Sequence, residues 1–299
     1  MLKLFKFHKH IFQSTIVICC LALLNSCDEF GAILPDPEPV VVKEPEMNWE
    51  LVWSDEFDYS GLPDPTKWGY EEGYVRNNEE QYYTKARLNN AFVENGVLNI
   101  KAIKESFPNK DYKNATLEAA GQRWKTVNEN AKYTSACLIT KDYASWTYGK
   151  IEVKAKLPAG SGIFPAIWTM GTNIYSVGWP ACGEIDIMEF LGRSPANISA
   201  NIHYKNPNDG SNAKAQASTG ISSPSSEFHI YSIIWDENKI TWQLDNKTFH
   251  TFYTDAAGDI FKKPQYILLN LALGGVTGGI IDDNVLPQTY QIDYVRVYQ

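Results

Sequence analysis

Residues 148–157 read Tyr-Gly-Lys-Ile-Glu-Val-Lys-Ala-Lys-Leu. Apolar Ile151, Val153, Ala155 and Leu157 alternate with charged Glu152, Lys154 and Lys156. A period of two marks a strand with one face in a core and one in water. The same punctuation recurs downstream. Residues 231–235, 266–273 and 292–298 are short apolar runs, and 240–244 and 248–252 flank Asp245-Asn246-Lys247 as a hairpin. No stretch shows the period of a long amphipathic helix. Short strands separated by turns predict an all-β sandwich in one domain of roughly 250 residues, spanning 49–299.

One run does not fit a plain strand. Gly183-Glu-Ile-Asp-Ile-Met-Glu-Phe190 places three acids within six residues of an apolar segment. Strict alternation puts Glu184 and Asp186 on one face and Glu189 on the other. One extra residue, a bulge near Ile187-Met188, would bring all three acids to the same face. Two carboxyl groups flanking a bond are what glycoside hydrolysis needs, one as nucleophile and one as acid and then base. Glu184 suits the nucleophile, Glu189 the acid/base, and Asp186 a partner that tunes them. Acids at this spacing also suit a hard cation. A solvent-exposed acidic strand is disfavoured, because Ile185, Ile187, Met188 and Phe190 surround the acids.

Charge narrows the partners. The chain carries −8 overall and has no basic stripe, which argues against nucleic acid. Its 9 Trp and 17 Tyr can fill a sandwich core or line a groove that stacks sugar rings. After residue 26 only His203, His229 and His250 remain, without metal-ligand spacing; His229 and His250 read as structural.

The N-terminus reads as a targeting segment. Lys3, Lys6 and Lys9 precede a short apolar run, Ile16 to Leu24, too short to span a membrane as a mature helix. Leu24-Asn-Ser-Cys27 resembles a bacterial lipobox, which implies removal of residues 1–26 and lipidation of Cys27. Residues 27–48, with Pro35, Pro37, Pro39, Pro45 and several acids, form an extended tether. The expected location is the cell envelope, lipid-anchored at the outer membrane, with the periplasmic and the outer face both open. Cys137 and Cys182 are expected as two buried free thiols.

The run Gly178-Trp-Pro-Ala-Cys-Gly-Glu-Ile-Asp-Ile-Met-Glu189 resembles the signature of glycoside hydrolase family 16, in its bacterial laminarinase branch. Trp53-Ser-Asp-Glu-Phe57, Arg76-Asn-Asn-Glu-Glu-Gln-Tyr-Tyr-Thr84, Pro165-Ala-Ile-Trp168, Ile202-His-Tyr204 and Asp293-Tyr-Val-Arg-Val-Tyr298 extend the likeness from about Trp49 to the end. The resemblance implies a β-jelly-roll of two curved antiparallel sheets with a concave cleft. It implies a retaining endo-β-glucanase cutting β-1,3-glucan, with Glu184 as nucleophile, Glu189 as acid/base and Asp186 between them. It further implies substrate-binding roles for Asn77, Trp168, Trp179 and His203. A structural calcium at Glu56, Gly96 and Asp293 follows from the same likeness, with no organic cofactor. The partner is a β-glucan, and the chain is expected to act as a monomer.

Departures leave the substrate open. Phe164 stands where many laminarinases have Trp, and Gly274-Gly275 is followed by Val276-Thr-Gly-Gly279 without a Trp. Mixed-linkage β-1,3/1,4-glucan, agarose, carrageenan and porphyran remain open, as do transglycosylation and a non-catalytic glucan-binding module. Residues 105–130, rich in Lys and Asn, read as a long loop that could reshape the cleft.

Overall fold

The alternation at 148–157 becomes a strand of the expected kind, inside a sandwich of two open sheets. The structure, a computed structural model, describes residues 48–299. The signal segment, Cys27 and all but the last residue of the tether lie outside the described residues. The strands are β1 (Leu51–Asp55), β2 (Gly69–Tyr70), β3 (Gln81–Tyr83), β4 (Ala91–Glu94), β5 (Val97–Pro108), β6 (Asn130–Ser135) and β7 (Cys137–Ile139). They continue as β8 (Gly149–Lys156), β9 (Ile163–Gly171), β10 (Glu184–Phe190), β11 (Asn197–Lys205) and β12 (Asn212–Gly220). The last five are β13 (His229–Trp235), β14 (Lys239–Leu244), β15 (Lys247–Tyr253), β16 (Gln265–Leu273) and β17 (Gln288–Tyr298).

One sheet runs β15-β14-β13-β8-β17-β5-β6-β3, with β1 on β17 and β4 on β5; the other runs β12-β11-β10-β9-β16-β7-β2. Pairing is antiparallel throughout the second sheet. The inward residues of both sheets meet in one core. Ile151, Val153, Ala155 and Leu157 join Ile185, Ile187, Met188, Phe190, Trp235 and Trp242 there. Burying such side chains stabilises the fold by about 1.5–3 kcal/mol each.

Two local features depart from the sequence reading. Glu152, placed on the wet face by alternation, is buried; it accepts from the Tyr294 hydroxyl at 2.7 Å and pairs with Lys150. Its strand is central in its sheet, so neighbours on both sides cover its outer face. Residues 105–130 are not all loop either. The strand β5 runs on to Pro108, and a short helix, α1 (Ala115–Ala119), follows, capped by Asn114 Oδ1 accepting from the amides of Thr116 and Leu117. Trp124 then packs edge-on against Tyr74. This insertion anchors itself with its own cap and aromatic contact.

In β9 and β16 every residue is buried on both faces. The inner face meets the core. The outer face carries a second apolar cluster of Tyr83, Cys137, Ala166, Trp168, Met170, Cys182, Tyr266 and Leu268. The segment 71–84 lies over it, tied by the Glu80 amide to the Leu273 carbonyl and by the Leu273 amide to Gln81 Oε1. Cys137 and Cys182 are free and buried, as expected.

Candidate active site

The bulge forms where the acid pattern requires it. On β10, Asp186 sits opposite Trp168 of β9 and Met188 opposite Ile167, so an extra residue intervenes. The pairing to β11 slips over the same interval, with Asp186 opposite Asn201 and Glu189 opposite Ser199. Ile187 and Met188 both turn into the core as a result, and Glu184, Asp186 and Glu189 line one cleft. From below, the Trp242 indole donates to the Asp186 carbonyl at 2.9 Å and fixes the backbone of the bulge.

Each acid has a different surround. Trp179 Nε1 donates to Glu184 Oε2 at 2.9 Å. Burial raises the Glu184 pKa, while that indole, Arg76 and a hydrogen bond with Asp186 favour its charged form. Asp186 is 5% exposed; burial first, then the charges of Glu184 and Glu189, push it well above the usual carboxylate range. Burial and the two neighbouring glutamates thus disfavour the charged form of Asp186 beside Glu184. Burial and the Glu184 charge lift Glu189 to about 7, against smaller opposing effects from Lys214 and Asn201. A carboxyl titrating near neutrality can both give and take a proton at working pH.

His203 lies opposite Glu184 on β11, with Nε2 3.6 Å from Asp186 Oδ2 and 3.9 Å from Glu184 Oε1. Burial and Lys214 lower its pKa, so it faces the acids as a neutral ring rather than as a salt-bridge partner. Among the described residues, Glu184, Asp186 and His203 form a donor group able to hold a metal ion, within 4.8 Å of one another. The same oxygens would serve catalysis, so a metal there would compete with it.

The other expected binding residues reach the same cleft. Asn77, Trp168 and Trp179 line it. Trp179 is half exposed and stands at the rim. Trp168 is nearly buried: its Nε1 donates to Asn270 Oδ1 at 2.7 Å, and the Arg76 guanidinium covers its ring at 4.8 Å. Trp168→Ala is therefore expected to destabilise the protein by about 3–5 kcal/mol as well as weaken substrate binding. Thermal melting checks this; an unchanged Tm would make Trp168 a free-standing platform.

Glu56, Gly96 and Asp293 lie away from this cleft's lining. Arg296 holds Glu56 through two hydrogen bonds of 3.0 and 2.8 Å, and Lys154 lies 2.6 Å from Asp293. Gly96 sits in the turn between β4 and β5 with φ +76°. Both carboxylates thus have cations of the chain as partners. His229, on Asp245 at 2.8 Å, and His250, against the Trp242 ring, have structural surroundings as read.

Sequence reasoning missed Arg76 and Glu71. Their side chains pair directly, and both line the cleft with Tyr266 and Asn270. Arg76 opens the quoted Arg76–Thr84 run, so its position was visible, but its contact with Trp168 depends on how 71–84 folds across β16. Phe164 lines the cleft. The 275–279 turn is pinned by Arg193 to the Thr277 and Gly278 carbonyls at 2.8 and 2.6 Å. None of the cleft's lining residues comes from 105–130.

Comparison with known proteins places this geometry among glycan-cleaving enzymes. The model for glycosyl hydrolases family 16 matches residues 78–296, which include all three acids. A β-glucanase of Rhodothermus marinus is 38% identical over 293 residues, covering 93% of this chain and 92% of its own. The structure of LamA from Zobellia galactanivorans, in complex with laminaritriose and laminaritetraose, aligns with a TM-score of 0.72 at 37% identity, over 83% of this chain and 98% of that one. A structure from work on endo-acting O-glycanases of the human gut microbiota, which initiate mucin breakdown, aligns with a TM-score of 0.76 at 32% identity, over 84% and 91%.

Proposed function

This chain belongs to glycosyl hydrolases family 16, and from that premise we propose that it is a retaining endo-β-glucanase acting on β-1,3-glucan. The observation that carries the reading is the bulge at Ile187-Met188, which gathers Glu184, Asp186 and Glu189 on one wall of a cleft. Glu184, charged and held by the Trp179 indole, attacks the anomeric carbon. Glu189, protonated up to about pH 7, gives its proton to the departing oxygen. The glycosyl group is then esterified to Glu184. Glu189, now a carboxylate, takes a proton from water as that water attacks the same carbon from the other face. Two inversions give retention. Asp186, whose charged form is disfavoured by burial and by both glutamates, sits beside Glu184 and stabilises it as the leaving carboxylate in the second step.

Within this class, the missing Trp after Gly274-Gly275 leaves room for mixed-linkage β-1,3/1,4-glucan. A second reading is an endo-acting enzyme on mucin-type O-glycans, favoured by the 0.76 alignment. Product analysis on laminarin, lichenan, agarose and mucin O-glycans side by side decides between them. Oligosaccharides from laminarin or lichenan support the glucan reading. Product from mucin glycans or agarose alone overturns the substrate and keeps the chemistry.

For location we infer a lipid anchor at Cys27, supported by the sequence Leu24-Asn-Ser-Cys27 after a charged and then apolar leader. The Pro-rich tether would hold the catalytic domain off the membrane, and the enzyme acts as a monomer. Cys27→Ala is expected to move the protein from the membrane fraction to the soluble one. A variant that still sediments with membranes would rule out this anchor.

A further inference from the structure

One wall of the cleft carries a residue to which the chemistry gives no task. Between β9 and β10 the chain makes a loop closed by Gly171 and Gly183, whose backbones bond at 3.0 Å. A Cβ on Gly171 would lie 2.0 Å from the Cys182 carbonyl oxygen, so only glycine allows this closure. The loop contains the short helix α2 (Ile174–Val177) and delivers two aromatic rings to the rim. Trp179, 51% exposed, is already engaged with Glu184. The other is Tyr175.

Tyr175 is 84% exposed and lines the same cleft as the three acids. A single exposed aromatic needs no explanation by itself. This one is braced. Lys141 Nζ lies 3.8 Å from the centroid of its ring, and the Lys141 side chain is itself mostly covered. A cation over one face of a ring holds that ring in place. Tyr266 lines the same cleft. A flat ring with a cation over one face, exposed at the wall of a polysaccharide cleft, has the form of a surface on which the apolar face of a hexose can stack.

We propose that Tyr175, braced by Lys141, is a platform that binds a further neutral sugar unit of the glucan chain, beyond the unit at the acids. The proposal rests on the β-glucanase reading. Its occupant follows from continuity: the ring is part of the wall of the cleft that takes the substrate. The hydroxyl of Tyr175 adds a polar edge, but stacking is the main contribution, so the ring matters more than the oxygen.

Steady-state kinetics of the purified enzyme on β-1,3-glucan polymer and on a ladder of its oligosaccharides tests this. Tyr175→Ala is expected to raise KM on polymer and long oligosaccharides by about three- to tenfold, with kcat within about twofold. The effect should vanish on the shortest oligosaccharides that are still cleaved. Tyr175→Phe should stay within about twofold of wild type, because it keeps the ring. Lys141→Met should raise KM by less than Tyr175→Ala, because it removes the brace and leaves the platform. Tyr175→Ala with unchanged KM at every length overturns the subsite, and so does a loss in kcat alone. If wild type cleaves no β-glucan, the substrate reading falls and this subsite falls with it. If wild type cleaves and Tyr175→Ala matches it throughout, only the subsite falls.

Discussion

Glu184→Gln is expected to lower kcat on β-glucan by on the order of 10⁴-fold or more while leaving the fold intact. The amide is the same size as the carboxylate and its oxygen still accepts from the Trp179 indole, so the loop and the bulge keep their contacts. What is lost is the charge and the nucleophilic oxygen pair. No other group in the cleft can replace it: Asp186 is nearly buried with its charged form disfavoured, and Glu189 is the proton donor. The removal of a side chain that acts as nucleophile can be bypassed by an external one. Glu184→Ala with azide should therefore recover part of the turnover and give a glycosyl azide of inverted configuration. A Glu184→Gln enzyme with kcat within tenfold of wild type would remove Glu184 from the mechanism.

The second large effect concerns Glu189, and it has two signs. Glu189→Gln is expected to lower kcat by about 10²–10⁴-fold, the usual contribution of a general acid/base. It should lose least on aryl glycosides, whose leaving groups need no proton. In the wild type, kcat/KM should fall as pH rises through about 7, where Glu189 loses the proton it must donate; this limb should be missing on such substrates in the variant. On stability the substitution acts with the opposite sign. The folded pKa of about 7 stands above the ordinary carboxylate value of 4.5, so the folded state binds the extra proton between these values. The contribution of Glu189 to stability is full below about pH 4.5 and is lost as pH rises towards 7. Above that the protein carries a buried charge beside Glu184, a cost of roughly 3 kcal/mol at most. Glutamine removes this cost. The variant should melt higher than wild type at pH 8 and equally at pH 4. Equal melting at both pH values would mean that Glu189 is not held in a disfavoured state.

The opposing signs say why three acids sit in an apolar strand. Their crowding and burial tune the proton affinities that catalysis needs, and the core packing of Ile185, Ile187, Met188 and Phe190 keeps them crowded. Function and stability compete at this strand.

The sequence made this strand legible because its acids violate a period of two, and only a bulge reconciles them with a single face. It made β8 legible through alternation, though not the burial of Glu152, which depends on neighbours from β13 and β17. The strands β9 and β16 are apolar on both faces, so their pattern does not say which residues face the core and which floor the cleft. Trp168 was readable as a cleft residue but not as a nearly buried one. Its cover comes from Arg76, and Arg76 reaches it only because 71–84 folds over β16 through contacts nearly 200 residues apart in sequence, such as Gln81 with Leu273. Tyr175 was unreadable for the same reason. Its brace, Lys141, comes from the turn after β7, and nothing local links the two residues.

The most direct test of the account is the configuration of the newly formed reducing end, followed by proton NMR in the first minutes of β-1,3-glucan digestion. Double displacement at Glu184 predicts that the β-anomer appears first and the α-anomer grows in only by mutarotation. Early accumulation of the α-anomer would mean a single displacement by water and would contradict the assignment of Glu184 as nucleophile.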